Sequence, residues 1–175
     1  MRRIAKGMLW TLLFVYLLLI FLPKAGLYYL AERQLEKMHV VISGETVSEG
    51  PFSLYLKGGT LYFQSIRAAR LGEVSLTTML FYNRFAVGPF TLGEDVGTLL
   101  PPKVSGLSAT HSVLMPHKIF LKGDGEFGSV DGEVDLFARK TTIRFSPTPV
   151  ISSKYRAFLR YFKRTKEGYL YESAF

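Results

Sequence analysis

The chain has no cysteine, one tryptophan and three histidines in 175 residues. Without thiols there can be no disulfide, no thiolate metal site and no cysteine nucleophile. His39, His111 and His117 stand at no ligand or catalytic spacing, and ligation by the last two needs converging strands and a carboxylate. No phosphate-cradling glycine loop occurs, because the 16 glycines are dispersed as turns and bulges. The acidic stretch Asp131-Gly132-Glu133-Val134-Asp135 begins like a calcium loop. An EF-hand starting at Asp131 requires glycine sixth and glutamate twelfth, where this chain has Leu136 and Thr142. Glu126 and Glu133 offer two carboxylates with neither nucleophile nor oxyanion stabiliser. The expectation is a protein that is no enzyme and holds no metal and no cofactor.

What is present begins with one uninterrupted apolar run, Gly7 to Leu22, preceded by Arg2, Arg3 and Lys6 and followed by Pro23 and Lys24. The expected membrane anchor consists of Met8, Leu9, Trp10, Leu12, Leu13, Phe14, Val15, Leu17, Leu18, Leu19, Ile20, Phe21 and Leu22. Eleven of these are Leu, Ile, Phe or Val, which together favour insertion by roughly 3 to 7 kcal/mol. Sixteen helical residues span about 24 Å against a hydrocarbon core of about 30 Å. Lys6 narrows that gap by laying its stem among the acyl chains, which brings Ile4 and Ala5 into the span. A cleaved secretory signal is the competing reading. The run is longer than the 7 to 15 residues of such signals, and Pro23-Lys24-Ala25-Gly26-Leu27 offers no A-x-A site. Three cations before the run and one just after it leave the N-terminus cytoplasmic and place residues 24–175 across the membrane.

Taking Arg2, Arg3 and Lys6 from the 22 basic residues leaves 19 against 14 acidic, a net charge of about +5 beyond the anchor. Much of it lies in Lys154, Arg156, Arg160, Lys163, Arg164 and Lys166. These suit anionic headgroups, an acidic partner, or simply a solvated helical face. Nucleic acid is not an expected partner, since this topology displays the basic face outside the cytoplasm.

Three segments follow from the pattern: residues 1–23 as cytoplasmic stub and anchor, 24–38 as an amphipathic linker helix, and 39–175 as a β-rich domain. Leu27, Leu30, Ala31, Leu35 and Met38 recur at helical spacing, and Pro23 kinks the chain between anchor and helix. Beyond His39 the texture is short alternating segments bounded by glycine. Phe52 to Lys57, a tight turn at Gly58-Gly59 and Thr60 to Ile66 read as a hairpin. Further strands are expected at about 72–81, 84–92, 103–113, 117–122, 125–128, 132–137 and 140–145. Each has one apolar and one polar face, as in an antiparallel sheet covered on one side. Tyr155, Phe158, Leu159 and Phe162 predict a helix over 151–164 capped by Ser152 or Ser153, and a last strand follows Gly168. The fold class is thus mainly β: one transmembrane helix, then a curved antiparallel meander of hairpins with a helix before it and one near the C-terminus. Phe81, Tyr82, Phe85 and Phe90 cluster about one hairpin, as core residues or as an exposed apolar groove that meets lipid or protein.

The stretch "IFLKGDGEFGSVDGEVDL" from Ile119, then "TTIRFSPTP", a helix and Gly168-Tyr169-Leu170-Tyr171 form a sequence of parts similar to protein N of the bacterial type II secretion system. More distantly the chain resembles AsmA-like envelope proteins. The resemblance implies a bacterial inner-membrane protein whose sheet stands in the periplasm. Its partners would be membrane lipids and other envelope or secretion-system proteins. Its role would be in assembling a secretion machine through the sheet edge or, on the AsmA-like side, in binding or moving lipid.

Overall fold

Alternation of apolar and polar residues governs the chain beyond His39, and in the computed structural model those segments form one antiparallel sheet of fourteen strands. The structure describes residues 2–21, 23–93, 101–166 and 168–175. Two helices come first, α1 (Arg2–Phe21) and α2 (Lys24–Lys37). Pro23 separates them with an extended backbone, ψ 100°, because its ring and missing donor suit the first turn of a helix and not its interior.

The strands are β1 (Val40–Ser43), β2 (Thr46–Glu49), β3 (Ser53–Lys57), β4 (Thr60–Phe63), β5 (Ile66–Leu71), β6 (Glu73–Thr78) and β7 (Tyr82–Val87). They continue with β8 (Phe90–Leu92), β9 (Lys103–Ser112), β10 (Met115–Gly125), β11 (Gly128–Asp135), β12 (Lys140–Pro147), β13 (Lys163–Thr165) and β14 (Gly168–Ala174). Short helices Pro149–Lys154 and Arg156–Leu159 lie between β12 and β13.

The first eight strands are the paired halves of four longer runs. One set of halves is joined in the order β2, β3, β6, β7, and the other in the order β1, β4, β5, β8; both reach β9. The breaks fall at Gly44-Glu45, Gly58-Gly59, Gly72 and Gly88-Pro89. Gly58 N–H donates to the Gly72 carbonyl at 2.7 Å, and Gly72 N–H to the Pro89 carbonyl at 2.9 Å. The breaks therefore align into a line running across the strands. Glycine is required there for two reasons. Gly58 and Gly59 have φ of 71° and 110°, and a Cβ on Gly72 would lie 2.5 Å from the Pro89 carbonyl oxygen.

The sheet folds along this line and buries a core between its halves. Leu54, Leu56 and Val74 from one side pack with Ala69 and Leu71 from the other, and Tyr28 of α2 closes the cluster. Burial of each leucine contributes about 1.5 to 3 kcal/mol. A second core lies further along the sheet, around Phe145 (1% exposed) and Ile151 (0%). Phe158 meets Phe145 edge-on at 5.9 Å, and Phe162 lies 5.5 Å away.

Three sequence expectations need correction. Gly58-Gly59 is not a hairpin turn: β3 pairs with β2 and β6, and β4 with β1 and β5, so the glycines bend one run. Residues 125–128 are not a strand, since Glu126 and Phe127 turn β10 into β11. The helix expected over 151–164 starts earlier, at Pro149, and breaks at Tyr155 (φ −116°, ψ 34°); its end is strand β13. Its aromatic spacing reflects rings converging on Phe145, a tertiary preference that overrides local periodicity. Among the described residues no helix is long and apolar enough to cross a membrane. Leu22 lies outside those residues, and the side chain of Leu19 is likewise not described.

Candidate membrane-facing site

α1 carries apolar side chains on every face. Met8, Leu9, Trp10, Leu12, Leu13, Phe14, Val15, Leu17, Leu18 and Phe21 are exposed, and Ile20 is half-buried. One strip of the helix touches the domain. The Tyr16 ring lies 5.4 Å from that of Phe52, and Leu9, Leu12, Leu13 and Tyr16 face Met79, Leu80, Phe81 and Tyr82 across an apolar cavity of about 570 Å³.

The elbow between the helices is held by the sheet. Glu49 at the end of β2 accepts from the Lys24 and Ala25 backbone N–H groups at 3.1 and 3.0 Å, an anion on the positive end of α2. Lys24 Nζ donates to the Ile20 carbonyl at 3.4 Å, satisfying part of the last turn of α1. Further along α2, Tyr28 donates to Glu45 at 2.6 Å. Burial first, then the Glu45 carboxylate, push the Tyr28 hydroxyl well above its ordinary pKa.

Of the four aromatic residues expected to share a groove, the structure brings two together. Phe81 and Tyr82 line the cavity with α1. Phe85 is exposed on β7 opposite Leu76, and Phe90 packs against the first core. The residues the sequence reading missed are Phe52, Met79 and Leu80. Their signal was there in Met79-Leu80-Phe81, three large apolar residues at a turn, where polar and small residues are usual.

The other candidates have local roles. His111 Nε2 lies 3.1 Å from the Pro116 carbonyl oxygen, and the His117 ring stacks on Phe137 at 5.2 Å. Asp135 accepts from the Ala138 and Phe137 amides at 2.8 and 3.0 Å, and these bonds, Ala138's first, hold its carboxyl below the usual range. Glu133 pairs with Lys118 at 2.6 Å. Among the described residues no three His, Asp or Glu side chains converge as a metal site. Arg160, Lys163, Arg164 and Lys166 are exposed; the side chains of Lys154 and Arg156 are not described. No family model, no curated protein and no solved structure matches the chain.

Proposed function

We propose that this chain is a membrane-tethered, non-catalytic binding protein of a bacterial envelope, held by α1 at the outer face of the inner membrane. The observation that carries the reading is the exposed apolar surface of α1, one strip of which faces the domain. Gly7 to Phe21 spans about 22 Å as a helix. In the sequence Leu22 extends the run, and Lys6 snorkelling adds Ile4 and Ala5 toward the required 30 Å. As in the type II secretion protein N that the sequence resembles, the sheet would then work in the periplasm as an assembly partner. β1 and β2 at one edge and β13 at the other are the places for an added strand. Lys163, Arg164 and Thr165 make the β13 edge charged and short, which favours β1 and β2.

Alkaline carbonate extraction tests the tether. The full chain is expected in the membrane pellet and the Leu13→Asp/Leu17→Asp variant in the supernatant; a full chain in the supernatant overturns the reading. A photocrosslinker at Val41 is expected to capture an envelope protein, and capture of lipid alone sinks the assembly role. The second reading, lipid handling, is favoured by the apolar cavity between α1 and Phe81. It requires stoichiometric phospholipid on the detergent-extracted protein, lost in a folded Phe81→Asp variant.

A further inference from the structure

The strand registers place five chain turns and ends in one row. Ser53 lies opposite Thr77, Thr78 opposite Asn83, Tyr82 opposite Ser112, Ser112 opposite Met115, Lys118 opposite Asp135, and Lys140 opposite both Asp135 and Ala174. The row is knit together by hydrogen bonds. Val113 N–H donates to the Phe81 carbonyl at 3.1 Å, Leu136 N–H to the His117 carbonyl at 2.8 Å, and Phe175 N–H to the Arg139 carbonyl at 3.1 Å. Turns facing water are built from glycine, proline, asparagine, aspartate and serine. Three of the five instead carry Met79-Leu80-Phe81, Val113-Leu114-Met115 and Leu136-Phe137. Leu114 is 86% exposed, Phe137 83% and Phe81 61%.

We propose that this row is a second membrane-contact surface, so that the turns of the domain stand in the hydrocarbon of the outer leaflet, beside the anchor. The inference rests on the tether reading. What identifies the occupant as bilayer is continuity: Leu9, Leu12, Leu13 and Tyr16 of α1 border the row at Met79–Tyr82, so lipid surrounding that part of the helix also reaches the turns. At the opposite end of the same sheet the β4–β5 turn is Gln64-Ser65, and Phe127 of the β10–β11 turn packs into the second core.

Charge behind the row favours apolar insertion over headgroup attraction. Arg139 in the β11–β12 turn, with Arg84, Lys118 and Lys140 behind it, stands against Glu49, Glu133, Asp135 and Glu172, with Lys118 paired to Glu133 and Lys140 to Glu172 at 2.5 Å. A balanced band draws little from anionic lipid and is insensitive to salt. The contact is therefore the same on neutral and on anionic vesicles.

Trp10, the only tryptophan in the sequence, lies in α1 and reports on the anchor. The test reconstitutes the full chain in neutral phosphatidylcholine vesicles whose acyl chains are brominated, and reads quenching of tryptophan emission. In a Trp10→Phe background, Leu114→Trp and Phe137→Trp are expected to lose as much emission as Trp10 does in the parent and to shift to the blue. Phe63→Trp, beside the Gln64-Ser65 turn, is expected to stay unquenched. Far-UV circular dichroism checks that each variant folds. Quenching of Trp10 without quenching at positions 114 and 137 overturns this proposal and leaves the tether standing. No quenching of Trp10 overturns the tether itself. Emission shifted to the blue yet unquenched at position 114, with a dimer in detergent, assigns the row to a second copy and likewise overturns the proposal.

Discussion

The same strands end in two different ways. At one end Phe145, Ile151, Tyr155, Phe158 and Phe162 turn inward, and the two short helices after β12 cover them. At the other end Phe81, Leu114 and Phe137 turn outward at bare hairpin turns. Both ends are rich in large apolar residues, so hydrophobicity alone does not separate them. The difference is chain: between β12 and β13 there are enough residues to build a cover, whereas the turns of the other end are too tight to fold back over themselves. An apolar residue in a tight turn can be buried only by something outside the domain.

Substitutions can break this contrast, and the largest effect belongs to the covered end. Phe145→Ala is expected to cost about 3 to 5 kcal/mol in urea unfolding of the detergent-solubilised protein, because the rings of Phe127, Phe158 and Phe162 lose their common neighbour. Next is the bend between the ends. Gly72→Ala forces a methyl against the Pro89 carbonyl and should cost about 1 to 3 kcal/mol in the same measurement. Tyr28→Phe removes the bond to Glu45 and should cost about 1 kcal/mol. The Tyr28 pKa is raised by folding, so its contribution is complete below about pH 10 and declines as the pH rises beyond that value. Stability measured across that range should fall less in Tyr28→Phe than in the parent. Smallest is the bare end: Leu114→Ser should change unfolding free energy by no more than about 0.5 kcal/mol. A cost there like that of Phe145→Ala would erase the distinction between the two ends.

Much of the sheet was legible from alternation. β9, β12 and β14 fall where periodicity puts them, and the bounds of α2 match within a residue, although Leu30, Ala31 and Met38 of its apolar spacing are exposed and Tyr28 is the residue that packs. The errors have one source, local signals whose meaning is set at a distance. Gly58-Gly59 reads as a hairpin turn until the partners of β3 and β4 are known, and only the neighbouring Gly72 and Gly88-Pro89 show that the pair belongs to a bend. Tyr155, Phe158 and Phe162 read as one helical stripe because rings wrapped around a single phenylalanine mimic helical spacing. Phe81 and Tyr82 were picked out as aromatics, yet Phe52 joins them only because β3 and β6 are neighbours in the sheet. The row of turns is a property of register, which no window along the chain contains.

The glycine line acts as a ruler. β6 has six residues between Gly72 and the Met79 turn, which sets the line about 20 Å from the row of turns. Each neighbouring run reaches its own glycine at a matching distance, and Gly58, Gly72 and Pro89 are tied by hydrogen bonds across the line. Inserting one residue in any single run between turn and glycine would slide that glycine out of line and reverse the faces of the strand. These four runs can therefore change length on the turn side only in concert.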